Sequence, residues 1–378
     1  MTTFLKQFVF SLIIIIPKIG LFAQNNSDTL ASKTIETVQE NNEGPKVDWS
    51  GFIDVFYAFD KNRPEEGIRQ DFFYNHNRHN QFNINLALIQ LKVSHSKYRA
   101  NLGLQTGTYA MDNYAAEDDL LKPVNEANVG VALNKKGSLW LDMGVFPSHI
   151  GFESAISSDN LTLTRSLAAE NSPYFLAGAK LSWDINENLS VSGTWSNGWQ
   201  RIKRVDGNTF PGVGTQITYA TEVFTINWST FVCSDFPDNQ RRVRYFNDFY
   251  GIVNPTEQLT IIAGFDIGIQ ESDVNSPTYE IWTVPTAIAS YMFSEKWRAA
   301  IRGEYYSDRA GVIISTNSPN GFRTAGFSIN LDYMPFSVMT ARIEARNLQS
   351  KNNIFPLGNR YTDRNFFIVG SLALKVND

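Results

Sequence analysis

Most of this sequence repeats one pattern, in which polar and apolar side chains alternate along stretches as long as a β-strand. In RANLGLQTGTY (residues 99–109), Asn101 and Gln105 alternate with Leu102 and Leu104. Successive side chains of an extended strand point to opposite faces, so this stretch has one polar and one apolar face. A chain built mainly from such stretches is expected to form a sheet whose two faces meet different surroundings.

The alternation predicts sixteen strands, most with the roughly 9–11 residues that a tilted strand needs to cross a bilayer. The strand predicted at 82–95 changes its apolar face near Leu88, which indicates either a β-bulge or inward packing against a loop. In the strand predicted at 279–292, Ile281 and Trp282 fall on opposite faces, so its orientation stays open. The predicted strands cover residues 48–60, 82–95, 97–110, 124–134, 138–147, 174–184, 188–199, 213–221, 223–233, 242–253, 258–270, 279–292, 296–308, 323–334, 338–349 and 365–376.

The connections between the predicted strands alternate in length. Those after even-numbered strands are short and include SHS, NKKG, INEN, PTEQ, FSEK and PFS. Those after odd-numbered strands are longer and cover residues 61–81, 111–123, 148–173, 200–212, 234–241, 271–278, 309–322 and 350–364. A soluble sandwich has no reason to collect its long loops at one end, whereas outer-membrane barrels have short periplasmic turns and longer external loops. The predicted fold is therefore an all-β, antiparallel, up-and-down transmembrane barrel of about sixteen strands, closed so that no strand edge is exposed.

The composition of the apolar faces indicates contact with lipid. These faces mix Ala, Gly and Thr with larger residues, which suits lipid better than the interlocking packing of a soluble core. Aromatic residues lie near strand ends on the same faces, as in the interfacial girdles of membrane barrels. These residues are Trp49, Phe59, Tyr98, Trp183, Trp199, Trp228, Tyr245, Tyr291, Trp297 and Phe366.

The N-terminal region has the features of an exported protein. Residues 1–23 combine Lys6, an apolar run and Ala23, which predicts a signal peptide cleaved after Ala23. The apolar run is too short to span a bilayer. Residues 24–47 are polar and lack aromatics, so we expect a flexible periplasmic tail before a barrel at 48–378. The expected location is the outer membrane of a Gram-negative cell.

Charge and composition exclude several classes of function. The full chain carries a net charge of −5, and loss of a signal peptide with two lysines and no acid leaves −7, which argues against a nucleic-acid partner. Cys233 is alone, so no intrachain disulfide can form. His76 and His79 are interpreted as exposed polar loop residues, and no metal site is expected. The adjacent Ser148 and His149 cannot act as nucleophile and base, and no catalytic or phosphate-binding motif is present. We therefore expect neither an enzyme nor a cofactor.

Several segments resemble one known family, the putative β-barrel porin-2 (OmpL-like) family of outer-membrane proteins. The resemblance covers essentially the whole mature chain. It implies a porin, and it supplies no catalytic residues. The segments that carry it are GFIDVFYAFD (51–60), FYNHNRHNQFNINLALIQLKV (73–93), NLGLQTGTYA (101–110), EANVGVAL (126–133) and, most specifically, GVFPSHIGFESAISSDNLTLTRSLAAENSPYF (144–175).

The long connection at 148–173 is the candidate for a constriction. Loops of this length are usually functional, and inward folding of this loop would narrow a sixteen-stranded lumen. Ser158, Asp159 and Asn160 indicate a helix start within it. Its charged residues are Glu153, Asp159, Arg165 and Glu170.

Four arginines are expected on the lumen wall across from this loop, because the thirteenth strand lies eight strands from the fifth. Acids on one side and guanidinium groups on the other would create a transverse field that selects among solutes. Alternatively, the arginines pair with Glu304 and Glu344 on their own strands and stay solvated. The predicted pore-lining and constriction residues are Glu153, Asp159, Arg165, Glu170, Arg298, Arg302, Arg342, Glu344, Arg346 and Arg99.

These features predict an outer-membrane porin, a passive and water-filled diffusion channel for small hydrophilic solutes. Its expected partners are outer-membrane lipid and those solutes, with a homo-trimer expected by analogy with porins of similar strand number. Two alternatives stay open: a barrel with hydrolase activity, and a barrel whose outer loops bind a surface partner. Stepwise conductance in planar bilayers would separate the channel from the enzyme.

Overall fold

The computed structural model describes residues 44–377. The predicted signal peptide at 1–23, and residues 24–43 of the predicted tail, lie outside the described residues. Val47 and Lys46, which the sequence placed in the tail, belong to the first strand.

Within the described residues, sixteen antiparallel strands form a closed barrel in which the last strand pairs with the first. The predicted fold class is confirmed, and the strand bounds agree with the prediction to within about four residues, the precision expected of sequence-based bounds. The barrel strands are β1 (Lys46–Asp60), β2 (Phe82–Ser94), β3 (Tyr98–Thr106), β4 (Val124–Ala132), β5 (Leu139–Pro147), β6 (Phe175–Asp184), β7 (Leu189–Ser196), β8 (Gly212–Ala220), β9 (Phe224–Cys233), β10 (Arg244–Val253), β11 (Leu259–Glu271), β12 (Tyr279–Ser294), β13 (Trp297–Asp308), β14 (Phe322–Phe336), β15 (Met339–Ser350) and β18 (Arg364–Asn377). Between β15 and β18, the short strands β16 (Phe355–Leu357) and β17 (Arg360–Thr362) form a separate hairpin.

The alternation in the sequence appears directly in the burial of each strand. On β13, Arg302, Glu304 and Tyr306 are buried on the lumen side, while Ile301 and Tyr305 are exposed on the outer side. The same period along neighbouring strands gives the barrel a continuous apolar exterior and a polar wall inside. No helix in the described part of the chain is long and apolar enough to cross a membrane.

The irregular strand β2 contains a bulge and also packs inward. The pairing with β1 shifts at Asn85, because Asp54 faces Leu86 while the next residue of β1 faces Ile84. Leu86 is completely buried inside the barrel. Both predicted explanations therefore apply, although the bulge lies three residues before the expected Leu88. On β12, Trp282 is buried and Ile281 exposed, which settles the orientation of that strand.

Two local features differ from the expectation because the chain turns into the lumen. The strand predicted at 97–110 ends at Thr106, and Thr108–Asn113 form a short helix, α1. Gly107 has φ +120°, and a Cβ there would lie 2.5 Å from the Asn85 carbonyl oxygen, so only glycine fits this turn. Trp199 is not a girdle residue: it lies beyond the end of β7, and its ring packs 5.2 Å from that of buried Phe246.

Loops fill part of the lumen with apolar side chains. One buried cluster joins Phe73 of the loop 61–81 and Leu163 and Leu167 of the loop after β5 to aromatic residues of the wall. A second cluster packs Tyr109 of α1 against other wall residues. These loops are therefore part of the barrel interior rather than external appendages. The remaining helical elements are α2 (Leu167–Glu170) and single 3₁₀ turns at Ser157–Asp159 and Asp238–Gln240.

Candidate functional site

The loop between β5 and β6, residues 148–174 and hereafter the inward loop, crosses the lumen to the opposite wall. The backbone N–H of Thr164 donates to Glu344 Oε2 on β15 at 2.6 Å. The backbone N–H of Leu167 donates to Glu304 Oε2 on β13, also at 2.6 Å. Carboxylates of the wall thus hold the loop by its main chain, and the loop divides the interior of the barrel.

Two arginines of this wall hold the middle of the inward loop. Arg298 and Arg342 both pair with Asp332 on β14, through N–O distances of 2.6 and 2.7 Å. Each also donates to the carbonyl oxygen of Asn160, at 3.0 and 3.1 Å. Arg342 donates in addition to the carbonyl oxygen of Ser157. A single carboxylate therefore orients two guanidinium groups toward main-chain acceptors of the loop.

The other two arginines are sealed beneath the loop. Arg302 pairs with Glu344 at 2.7 Å, Arg346 pairs with Glu304, and both arginine side chains are fully buried. Arg302 Nη2 also donates to Thr164 Oγ1 at 2.9 Å, and Arg346 Nη1 to the same oxygen at 3.2 Å. Buried guanidinium groups are tolerated only when paired and hydrogen-bonded, and the loop supplies part of that requirement. We call these four arginines with Glu304, Asp332 and Glu344 the β13–β15 anchor.

Glu153 and Arg165 of the inward loop lie close to this anchor. Glu153 Oε1 is 3.9 Å from Arg302 Nη1, and its other oxygen accepts from the backbone N–H of Ser166 at 2.9 Å. Arg165 donates to the carbonyl oxygen of Ala169 at 2.5 Å and lies 5.4 Å from the ring centre of Tyr174. Both side chains therefore shape the loop itself.

Glu170 joins the inward loop to the loop 61–81. Its carboxylate accepts from the backbone N–H groups of Tyr74 at 2.9 Å and Asn75 at 3.3 Å. Burial raises the pKa of Glu170 above its usual value, although the charge of Arg165 and the two backbone donors oppose that rise. The two loops are thus connected through one buried carboxyl group.

Two further predicted residues belong to ion pairs that solvent reaches. Asp159 accepts from Lys375 Nζ on β18 at 2.7 Å, and about a third of each side chain is exposed. Arg99 on β3 pairs with Asp142 on β5 at 2.5 Å, and 33% of the Arg99 side chain is exposed. Asp159 adjoins Asn160, which the β13–β15 anchor holds, whereas Arg99 lies on β3, and both side chains are partly exposed.

The beginning of the inward loop is held at a second place, which we call the β8–β10 anchor. His149 Nε2 donates to the carbonyl oxygen of Thr230 at 2.9 Å, and the carbonyl oxygen of His149 accepts from Ser229 Oγ at 2.6 Å. The backbone N–H of Gly151 donates to Asp248 Oδ2 at 3.1 Å. Burial lowers the pKa of His149 to about 4, so its imidazole is neutral at physiological pH.

The family model for putative beta-barrel porin-2, OmpL-like, matches residues 46–375. The chain belongs to this porin family. It is a porin-like channel of the outer membrane and not an enzyme. No curated protein is detectably similar to it in sequence.

Solved structures show the same fold as this porin at low sequence identity. An anion-selective porin from Comamonas acidovorans has a TM-score of 0.61 and 7% identity, over 88% of this chain and 100% of that chain. OmpF of Salmonella typhi, in complex with daunomycin, has a TM-score of 0.58 and 14% identity, over 88% and 98%. The trimer form of OmpT from Vibrio cholerae has a TM-score of 0.57 and 8% identity, over 88% and 100%.

The structure changes the expected spacing between the acidic loop and the arginines of this porin. The sequence predicted the loop acids and the arginines on opposite sides of a water-filled lumen, but the loop is long enough to cross the lumen and contact the arginines directly. The alternative pairing with Glu304 and Glu344 is also present: Arg302 lies 3.4 Å from Glu304 on its own strand, and shorter pairs cross between strands, Arg302 of β13 with Glu344 of β15 and Arg346 of β15 with Glu304 of β13. The expectation that these arginines stay solvated was wrong, because the inward loop buries Arg302 and Arg346 completely. Whether the ten predicted residues contact a passing solute stays a prediction.

Sequence reasoning missed a buried polar cluster in this porin. His76 was expected to be exposed, but the loop 61–81 folds inward and His76 is completely buried. Its Nε2 lies 2.8 Å from Asp54 Oδ2 on β1, and the same oxygen accepts from Ser157 Oγ at 2.7 Å. The only signal was that Asp54 occupies a lumen-facing position of its strand. Among residues 44–377, no group of three or more His, Cys, Asp or Glu side chains could hold a metal ion.

Proposed function

We propose that this porin is a passive, water-filled channel for small hydrophilic solutes, with a charged constriction where the inward loop crosses the lumen. The observation that carries the proposal is the attachment of this loop to the far wall through the β13–β15 anchor. A porin lumen narrowed in this way leaves a limited path for solutes beside the loop. Charged side chains along such a path select solutes by the charge and dipole that each solute carries.

The predicted site residues take two different roles in this proposal. Arg302 and Arg346 are fully buried, so they hold the loop in place and act on solutes only through their field. Arg99 and Arg298 retain 33% and 15% exposure of their side chains and would contact a solute directly. Asp159, about a third exposed and paired with Lys375, is the acidic member of the accessible set.

Planar bilayers containing the purified protein test this proposal. We expect stepwise conductance, and we expect Arg99→Gln with Arg298→Gln to move the reversal potential toward that of the cation, because two accessible positive charges are lost. The matched control is Arg323→Gln on the outer face of β14, where the arginine Nε donates to Tyr305 Oη. Absence of conductance would overturn the channel, and equal reversal potentials in the double variant and the control would overturn the charged constriction.

We also propose that the protein forms a homo-trimer. The support is its similarity in fold to the trimer form of Vibrio cholerae OmpT. Chemical cross-linking of the protein in native outer membranes should then produce a ladder that ends at three subunits. A ladder that never passes one subunit would contradict the trimer and leave the channel proposal intact.

A further inference from the structure

Four cationic side chains form a row around the barrel, at the end that carries the long loops. These four residues lie at the outer ends of β1, β14, β15 and β18, which are consecutive neighbours in the barrel in the order β1, β18, β15, β14. We call the row the basic rim, and its members are Lys61, Arg323, Lys351 and Arg364.

The pairing of the strands places the basic rim on the outside of the barrel. The backbone N–H of Lys61 donates to the carbonyl oxygen of Phe366 at 2.9 Å, and Phe366 is exposed on the outer face of β18. Residues paired in this way point to the same face of a sheet, and Arg364, two residues before Phe366, shares that face. The backbone N–H of Lys351 donates to the carbonyl oxygen of Arg323 at 2.8 Å, so Lys351 lies on the same outer face as Arg323.

The members of the basic rim have no acidic partners. Lys61, Lys351 and Arg364 are exposed, Arg323 is half-buried, and none of the four forms an ion pair with a described residue. Arg323 and Lys351 lie directly opposite each other, and like charges in that arrangement destabilise a sheet. An anion bound between them would remove this repulsion.

Exposed cations of other outer loops are neutralised locally. Lys122 and Arg241 each pair with an aspartate three residues earlier in the chain. Asp363 is adjacent to Arg364 in the sequence, but its carboxylate accepts from Gln349 Nε2 at 2.6 Å. The basic rim therefore presents positive charge to its surroundings that other exposed cations of the outer loops do not.

An apolar surface adjoins the basic rim on the membrane side. Phe59 and Phe366 occupy outward positions two residues from Lys61 and Arg364, and each side chain is about 40% exposed; Ile368 continues the same face of β18. Two residues of a strand advance by about 7 Å. The cations therefore lie just outside the aromatic girdle, at the depth of lipid headgroups.

We propose that the basic rim binds the phosphate groups of a lipid in the outer leaflet, whose acyl chains lie on the apolar faces of β1 and β18. Guanidinium groups match phosphate through two N–H groups, and clustered basic residues beside a membrane-spanning segment bind anionic headgroups. The occupant is a headgroup rather than a free phosphate ion, because the cations border the surface that acyl chains cover.

The length of the basic rim favours a lipid with two phosphate groups. Neighbouring strands are about 4.8 Å apart, so a row across four strands is about 15 Å long. A single phosphate cannot contact both ends of such a row. The inference goes beyond the proposed channel, since it concerns the outer surface of the barrel rather than its lumen.

A series of three lipids tests the proposal on the unmodified protein. Native mass spectrometry of the purified protein in mixed detergent micelles would compare diphosphoryl lipid A, monophosphoryl lipid A and lipid A without phosphate. Binding should weaken in that order, by at least about tenfold between the first and the third, because each phosphate supplies charge-assisted contacts. Equal binding of the three lipids, or displacement of diphosphoryl lipid A by an equal concentration of inorganic phosphate, would overturn the proposal.

Substitutions then locate the site. Loss of all four cations should weaken the binding of diphosphoryl lipid A by at least about tenfold, in the variant Lys61→Gln, Arg323→Gln, Lys351→Gln and Arg364→Gln. The matched control removes the same charge from exposed lysines of the short turns at the opposite end, in the variant Lys97→Gln, Lys135→Gln, Lys136→Gln and Lys296→Gln.

The results of this comparison can be separated from those for the channel. Both variants should migrate as folded barrels in unheated gels and conduct like the unmodified protein, because the substituted side chains lie outside the lumen. A folded rim variant that binds diphosphoryl lipid A as tightly as the unmodified protein, or a control that loses as much binding as the rim variant, would overturn the lipid site and leave the channel proposal intact.

Discussion

The two anchors of the inward loop use different chemistry. The β8–β10 anchor holds the start of the loop through a neutral imidazole, a hydroxyl group and one carboxylate that accepts from main-chain N–H. The β13–β15 anchor holds the far part of the loop through four guanidinium groups and three carboxylates, most of them buried. One end of the loop is therefore held by short-range directional bonds and the other by an ion-pair network.

This difference has energetic consequences. Removing a neutral hydrogen bond costs about 0.5–1.5 kcal/mol. Removing one partner of a buried ion pair costs about 3–5 kcal/mol, because it leaves the other charge buried without that partner. The β13–β15 anchor is thus strong only while complete, and defects there should release the loop more readily than defects at the β8–β10 anchor.

The largest effect is expected from Glu344→Gln, which removes the 2.7 Å partner of buried Arg302 and leaves it only the longer contacts with Glu304, at 3.4 Å, and Glu153, at 3.9 Å. We expect the attachment of the loop to weaken by about 3–5 kcal/mol. Single-channel recordings should show larger and noisier conductance as the loop leaves the far wall. The double variant Arg302→Leu with Glu344→Leu removes both charges and should be milder; a double variant as noisy as Glu344→Gln would contradict this reasoning.

An intermediate effect is expected from acidification at the β8–β10 anchor. His149 has a pKa of about 4 in the folded protein against an ordinary 6.5, because burial disfavours its charged form. Between pH 4 and 6.5, the His149 ring held in the anchor binds fewer protons than the same ring after it has left the anchor. The stabilisation is therefore complete above pH 6.5 and is lost as the pH falls toward 4, by about 3 kcal/mol in total.

Channel noise recorded from pH 7.5 to 4.5 measures this loss. We expect noise to rise in that interval for the unmodified protein and to change less for His149→Gln, whose amide does not titrate there. The same pH profile in both proteins would show that His149 does not control this anchor.

The smallest effect is expected from Gly214→Ala on β8. The added Cβ would overlap His149 Cε1, so the ring must move and its bond to Thr230 weakens. Overpacking of this kind costs about 1–3 kcal/mol. Gly193→Ala on β7 is the matched control, because the nearest atom to its Cβ is 3.9 Å away. Equal conductance noise in the two variants would contradict the proposed contact.

The barrel could be predicted from sequence because its determinants are local. Alternation along β13 and β15 requires only neighbouring residues, and the division into short and long connections fixes which end of the barrel carries the loops. The irregularity of β2 was also predicted, from the change of its apolar face near Leu88. The position of aromatic residues near strand ends was a less reliable guide to the interfacial girdles, since Trp199 lies just beyond the end of its strand and turns inward.

The interior could be predicted only in part, because its contacts join residues far apart in the chain. Ser157 bonds to Asp54, and Thr164 bonds to Glu344, across separations that no local pattern records. The charged faces of β13 and β15 did indicate where a partner would be needed. The inward fold of the loop 61–81, which buries His76, had no such signal, because its sequence reads as a polar external loop.

Conductance of a protein with a shortened inward loop tests the central claim most directly. Replacing residues 160–167 by a short glycine–serine linker removes the segment that reaches the β13–β15 anchor. The account predicts a severalfold rise in single-channel conductance and faster liposome swelling with larger sugars, while shortening the β16–β17 hairpin changes neither. Unchanged conductance and size limit in the shortened loop would show that this loop does not narrow the channel.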